Sequence, residues 1–136
     1  MARNTDDGAA AAVKFFLEAY TYMKTSGTTE QWDSLSDPEC VFCESAREAT
    51  VERADQHQHN VGGAITIETI KTRAVVPGKS WLSRTEVVQA PLAVADKTGK
   101  VISDYSLERR TPANFVVHWD DGDWILREVD FQADVK

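Results

Sequence analysis

Basic residues are in short supply in this chain. Lysine and arginine together number 15 against 22 acids, a net charge of −7. Phosphate recognition needs a basic surface, so the deficit argues against nucleic acid as a partner. It also disfavours docking on anionic lipid, and in its simplest meaning it keeps the protein soluble. Long apolar runs are missing too: nothing approaches the roughly 20 residues of a membrane span. Met1 to Asp7 is followed by no apolar stretch of the signal-peptide kind. Internal repeats, linkers within residues 8–136, low-complexity tracts and recognisable catalytic motifs are likewise absent. Cysteine is limited to Cys40 and Cys43, spaced Cys-Val-Phe-Cys. Two thiols that can reach each other form a disulfide, a redox couple or half a metal site.

What is present describes one ordinary globular domain. The chain has 136 residues, 42% of them hydrophobic and 9% aromatic, enough to bury a real core. Residues 1–7 read as a disordered segment or linker, and residues 8–136 as a single domain. Residues 8–26 have apolar side chains at helical spacing: Ala9, Val13, Phe16, Leu17, Tyr20 and Met23. Asp6 or Asp7 is placed to cap the start and Gly27 to stop the helix. Thr28-Thr29-Glu30-Gln31 has the form of a capping box before a short helix carrying Trp32 and Leu35. Ser36-Asp37-Pro38-Glu39 repeats that signature, which predicts a third helix from about Asp37 to Gln56 with Pro38 in its first turn.

After Gly62-Gly63 the period becomes two. Ile65 and Ile67 alternate, then Ile70, Thr72, Ala74 and Val76 alternate in the other phase, which implies a β-bulge between Ile67 and Ile70. Pro77-Gly78 turns the chain into a strand from Trp81 to Ala90, and Pro91 marks an edge or a bend. Leu92–Ala95 and Val101–Leu107 flank a turn. Phe115–Asp120 and Asp123–Phe131 form a hairpin around Asp121-Gly122. Its register pairs Trp119 with Trp124 and Val117 with Leu126, with that face towards a core. Helices first and an antiparallel sheet afterwards define an α+β domain.

Ala12-Val13-Lys14-Phe15-Phe16-Leu17-Glu18-Ala19-Tyr20, the turn Thr25-Ser26-Gly27, the element Leu35-Ser36-Asp37-Pro38-Glu39-Cys40-Val41-Phe42-Cys43 and the terminal Trp-Asp-Asp-Gly-Asp-Trp hairpin together carry a resemblance. From about Gly8 to Phe131 the chain resembles nuclear transport factor 2-like, or SnoaL-like, cone folds. More narrowly it resembles uncharacterised cell-envelope lipoproteins of actinobacteria. The resemblance implies N-terminal helices on a curved antiparallel sheet. It also implies an extracytoplasmic location with anchoring through a lipidated leader outside this chain. It supplies no reaction.

The cysteine pair sustains three readings. Residues i and i+3 share a helix face, so a disulfide can close across the first turn. A redox couple would need a lowered thiol pKa, which a helix N-terminus favours and the neighbouring Glu39 and Glu44 oppose. A zinc site with His57 and His59 has the wrong His-x-His spacing. On a continuous helix it would also separate Cys43 from His57 by about 21 Å. The expectation is a Cys40–Cys43 disulfide, no metal and no cofactor, with His57-Gln58-His59 as a polar helix end.

An enzyme of SnoaL type, an isomerase or cyclase, is the first competing function, and a thiol redox protein using Cys40 and Cys43 the second. Tyr20, Tyr105, Asp104, His118 and Glu128 are the candidate polar cavity groups. Strand alternation turns His118 away from Trp119 and sets Asp104 and Tyr105 on opposite faces, so these residues do not converge. The aromatic residues Phe16, Tyr20, Trp32, Tyr105, Trp119 and Trp124 are core or cavity lining. The leading expectation is a non-catalytic binding domain for a protein partner or small apolar ligand, with a small and mainly apolar cavity. Glu68, Lys71, Arg73, Arg84 and Glu86 read as a solvated sheet face, through which cone folds of this kind form homodimers.

Overall fold

The computed structural model describes residues 4–105 and 107–131. Three helices lead, α1 (Asp6–Ser26), α2 (Glu30–Leu35) and α3 (Val41–Asp55). The strands that follow are β1 (Gln58–Gly62), β2 (Ile65–Val76), β3 (Ser80–Gln89), β4 (Leu92–Asp96), β5 (Val101–Tyr105), β6 (Arg109–Asp120) and β7 (Asp123–Phe131). This is the expected α+β order.

α1 buries Ala9, Ala12, Val13, Phe16, Leu17 and Met23, one stripe of its surface. Its cap is Thr5 and not an aspartate: the Thr5 hydroxyl accepts the Gly8 N–H at 3.0 Å. Asp6 instead accepts the Trp81 indole N–H at 2.8 Å, which ties the helix start to β3. The folded unit therefore includes residues expected to lie in a linker; residues 1–3 lie outside the described ones. Gly27, at φ 81°, sends its N–H back to the Met23 carbonyl and ends the helix as expected. Thr29 stands at the start of α2 without a side-chain cap bond, so the capping box does not form.

α3 begins later than the Asp37 signature predicts. The Asp37 carboxylate accepts the Glu39 N–H at 2.8 Å and its carbonyl accepts the Cys40 N–H at 2.9 Å. This local turn, with Pro38 inside it, competes with helix and wins. Cys40 becomes the cap, its sulfur accepting the Cys43 N–H at 3.1 Å. The helix stops at Asp55, and His57 adopts φ 61°. His57-Gln58-His59 is thus not a helix end: Gln58 opens β1, a strand without an apolar alternation to announce it.

The expected single curved sheet is divided in two. One has the order β2-β3-β6-β7 and the other β1-β4-β5. The β1–β4 pairing continues the β2–β3 register around a corner at residues 62–64 and 90–91. There the Gly63 N–H meets the Pro91 carbonyl at 3.0 Å and the Ala90 N–H meets Ala64 at 2.9 Å. Gly62 is required at this bend: its φ is 75°, and a Cβ would sit 2.7 Å from the Pro91 oxygen. Pro91 marks a bend, one of its two readings. The expected bulge is present as a register shift between Ile67 and Thr69.

β6 reaches back to Arg109, further than Phe115, because β3 pairs along its whole length despite Pro112. The terminal hairpin has the expected register, Trp119 opposite Trp124 and Val117 opposite Leu126, around Asp121 (φ 52°) and Gly122 (φ 91°). Trp124 is wedged between Trp81 (centroids 5.0 Å apart) and Trp119 (5.1 Å). These rings, with Phe115, Val117 and Leu126, meet the buried face of α1 in one core.

Candidate functional site

Strand alternation sends Val87 and Gln89 of β3 to the helix-facing side of the larger sheet. There they pair with Thr111 and Arg109 of β6, and Ile65 of β2 lies across from Gln89. Tyr20 from α1, Phe42 from the first turn of α3 and Phe131 from the end of β7 close the space opposite. The result is a cavity of ≈ 180 Å³ at the wide mouth of the cone. Its aromatic wall is continuous: Tyr20 lies 5.9 Å from Phe42, and Phe42 lies 5.5 Å from Phe131. Behind that wall a residual space of ≈ 10 Å³, bordered by Phe16 and Trp32, is at the limit for a single water.

The cavity is small as expected, but not mainly apolar. Tyr20, Gln89, Arg109 and Thr111 supply polar groups to about half its lining. Burial pushes the Tyr20 hydroxyl above its ordinary pKa, so it remains a neutral donor. One turn on, Lys24 is pushed down, first by burial and then by the Arg53 charge. Its ammonium donates to the Ala46 carbonyl at 3.4 Å and lies 5.6 Å from the Tyr20 ring centre. Among the described residues, none that lines the cavity is an Asp, Glu or His. General acid–base chemistry at neutral pH relies chiefly on those side chains.

The residues singled out from sequence are dispersed. Tyr20 lines the cavity. Tyr105 is exposed on β5, beside a second hollow of ≈ 160 Å³. Trp119 and His118 border a separate groove of ≈ 570 Å³ with Lys79 and Asp37. Trp124 is core. Asp104, opposite Ala93, and Glu128, 4.0 Å from Arg127, are exposed. Phe42, Ile65, Val87, Gln89, Arg109, Thr111 and Phe131 were missed. The alternation Trp81, Ser83, Thr85, Val87, Gln89 was a usable signal for two of them.

Cys40 and Cys43 form a disulfide, with Cα atoms 5.2 Å apart and exposures of 1% and 2%. The Trp32 indole N–H donates to the Cys43 carbonyl at 3.0 Å and seals the bridge from inside. Among the described residues no group of three or more His, Cys, Asp and Glu is placed to hold a metal ion, and no helix is long and apolar enough to cross a membrane.

Helices closing one end of a bent antiparallel sheet, with a cavity at the mouth, define a nuclear transport factor 2-like cone. Solved structures of low identity show the same fold. The intermembrane space region of the chloroplast protein ARC6 superposes with a TM-score of 0.73 at 12% identity, over 95% of this chain and 97% of that one. The association domain of C. elegans CaMKII gives 0.56 at 10% identity, over 95% and 98%. A candidate scytalone dehydratase from Novosphingobium aromaticivorans gives 0.55 at 12%, over 90% and 83%. No curated protein sequence matches the chain. Residues 1–130 match the family of unknown function DUF6318, and the chain belongs to that family.

Proposed function

We propose that this domain binds a small, largely apolar ligand in the mouth cavity without transforming it. The observation that carries this reading is the lining: aromatic and aliphatic walls, the polar groups of Tyr20, Gln89, Arg109 and Thr111, and among the described residues no carboxylate or imidazole facing the space. Relatives of this fold include a candidate scytalone dehydratase, so a SnoaL-like isomerase or cyclase is the alternative. It would need a proton-transferring base, and the described residues of the wall include no carboxylate or imidazole. A thiol redox role would need an accessible thiol, whereas Cys40 and Cys43 are buried in a bridge.

The same reading places the domain outside the cytoplasm, as the folded part of a cell-envelope lipoprotein held through a leader outside this chain. A disulfide persists where the compartment is oxidising. Mass spectrometry on protein taken from cells without reductant is expected to show both thiols blocked; two freely alkylated thiols would overturn the placement. A homodimer through the outer face of the larger sheet is part of the proposal. Glu68, Lys71, Arg73 and Arg84 are exposed there, and Arg110 forms an ion pair with Glu68. One structural relative is itself an association domain.

The ligand reading is tested by NMR titration with 1-octanol. Shifts are expected to cluster on Tyr20, Phe42, Val87 and Thr111. Shifts concentrated on the outer sheet face, or none, would contradict it.

A further inference from the structure

The mouth cavity shares two of its lining residues with a neighbouring hollow. Gln89 and Arg109 wall it and also wall the hollow of ≈ 160 Å³ beside it. These two residues are cross-strand partners at the corner where the sheets diverge, so they form a neck between two spaces. The inner space alone, ≈ 180 Å³, is smaller than the roughly 300 Å³ at which small-molecule sites usually begin. Together with the outer one it reaches that range.

The outer space is apolar where solvent would favour polar residues. Leu92 and Tyr105 pair across β4 and β5, and Leu107 follows. Tyr105 is 59% exposed and Leu107 79%. A contiguous group of large apolar side chains left open beside a cavity is one signature of a ligand-binding groove. The charge at this place is also unlike the rest of the chain. In a protein of net charge −7, the described residues lining both spaces include no carboxylate, and Arg109 stands at the neck. A guanidinium stays protonated and matches a carboxylate through paired donors. It has five donors, so its interaction within the fold and a bound acid are compatible.

Building on the ligand-binding reading above, we infer that the two spaces form one site for a carboxylic acid flanked by two apolar arms. The carboxylate meets Arg109 at the neck. One arm enters between Phe42, Val87 and Phe131, and the other lies along Leu92 and Leu107. A straight-chain acid with its head at the neck fills one space only.

Isothermal calorimetry with isomeric probes tests this on the protein as it stands. 2-Propylpentanoate is expected to bind more tightly than octanoate, its unbranched isomer. It is also expected to bind at least roughly tenfold more tightly than 2-propylpentanamide, the neutral analogue, as a charge-assisted contact requires. Arg109→Gln should erase the acid–amide difference and Arg109→Lys should keep part of it, while both variants melt cooperatively. Leu107→Ser should reduce the advantage of the branched acid and leave octanoate unchanged. Equal binding of acid and amide, an acid preference that survives in Arg109→Gln, or octanoate matching the branched isomer would overturn the inference. If 1-octanol binds and none of the acids does, the two-armed acid is refuted and the cavity reading stands. If 1-octanol fails as well, both fall.

Discussion

Trp32 is 2% exposed, packs 5.6 Å from Tyr20, and donates its indole N–H to the Cys43 carbonyl. One side chain thus joins α1, α2 and the disulfide. Trp32→Phe keeps most of the apolar bulk but removes a buried hydrogen bond to a carbonyl that otherwise has only its partner within α3, at an expected cost of about 0.5–1.5 kcal/mol in urea unfolding. A loss near zero would mean that the indole bond contributes nothing to stability. Trp124→Ala removes a ring held between two others and is expected to cost about 3–5 kcal/mol, and an unchanged midpoint would contradict its placement. Asp96 gives a pH prediction. Bonds from Thr98, first its hydroxyl and then its N–H, hold the carboxyl below the ordinary aspartate range, with the Lys100 and Gly99 N–H groups adding to this. Because the folded pKa lies below the unfolded one, ionised Asp96 stabilises the turn above the unfolded pKa, and the contribution disappears as pH falls through the folded value. A carboxyl NMR titration should place its midpoint below that of an unstructured aspartate; a midpoint at or above it would refute the bonding. At this scale the cysteine pair was readable, because spacing alone brings two such side chains together. Arg109 was not, because Pro112 hides the strand that turns it inward.

The first turn of α3 shows how two cysteines act on an element. The disulfide closes a loop so short that its chain-entropy contribution is about 1–2 kcal/mol. The Cys40 sulfur is also the helix cap. Serine is a good cap and alanine a poor one. The pair Cys40→Ser with Cys43→Ser should therefore lose the bridge and keep a cap, while Cys40→Ala with Cys43→Ala should lose both. Thermal melts are expected to rank them in that order, separated by about 0.5–2 kcal/mol. Equal melts would show that the cap contact contributes nothing. The elements most legible in the sequence were those with a complete local code. α1 has a periodic stripe and a stop glycine; β6–β7 has Asp-Gly between alternating strands. β1 was missed because Gln58, His59 and Asn60 become a strand only through β4, a long-range partner that no local pattern encodes. The late start of α3 reflects a contest between two local signals, helix cap and Asx turn, that the sequence carries equally.

Across the whole molecule, the fold class followed from the order of helices and strands, but the division into two sheets did not. The corner depends on a close approach of Gly62 to Pro91, residues far apart in sequence. The polar half of the cavity has the same non-local origin: Gln89 and Arg109 meet only through the β3–β6 pairing at that corner. Oligomeric state is decided at this scale as well. If the outer sheet face forms a homodimer, sedimentation should show a concentration-dependent monomer–dimer equilibrium, and Leu82→Arg, on that face, should shift it to monomer. A monomer at every concentration would refute the interface. The claim on which the functional account rests is that the mouth cavity is the binding site. Thermal melts with and without 1-octanol, on the wild type and on Val87→Phe, test it directly. Val87 is 2% exposed and faces the cavity, so a phenyl ring there should fill the space. A ligand that binds only the folded state raises its melting temperature with concentration. The account predicts such a rise in the wild type and none in Val87→Phe; an equal rise in both would contradict it and move binding elsewhere.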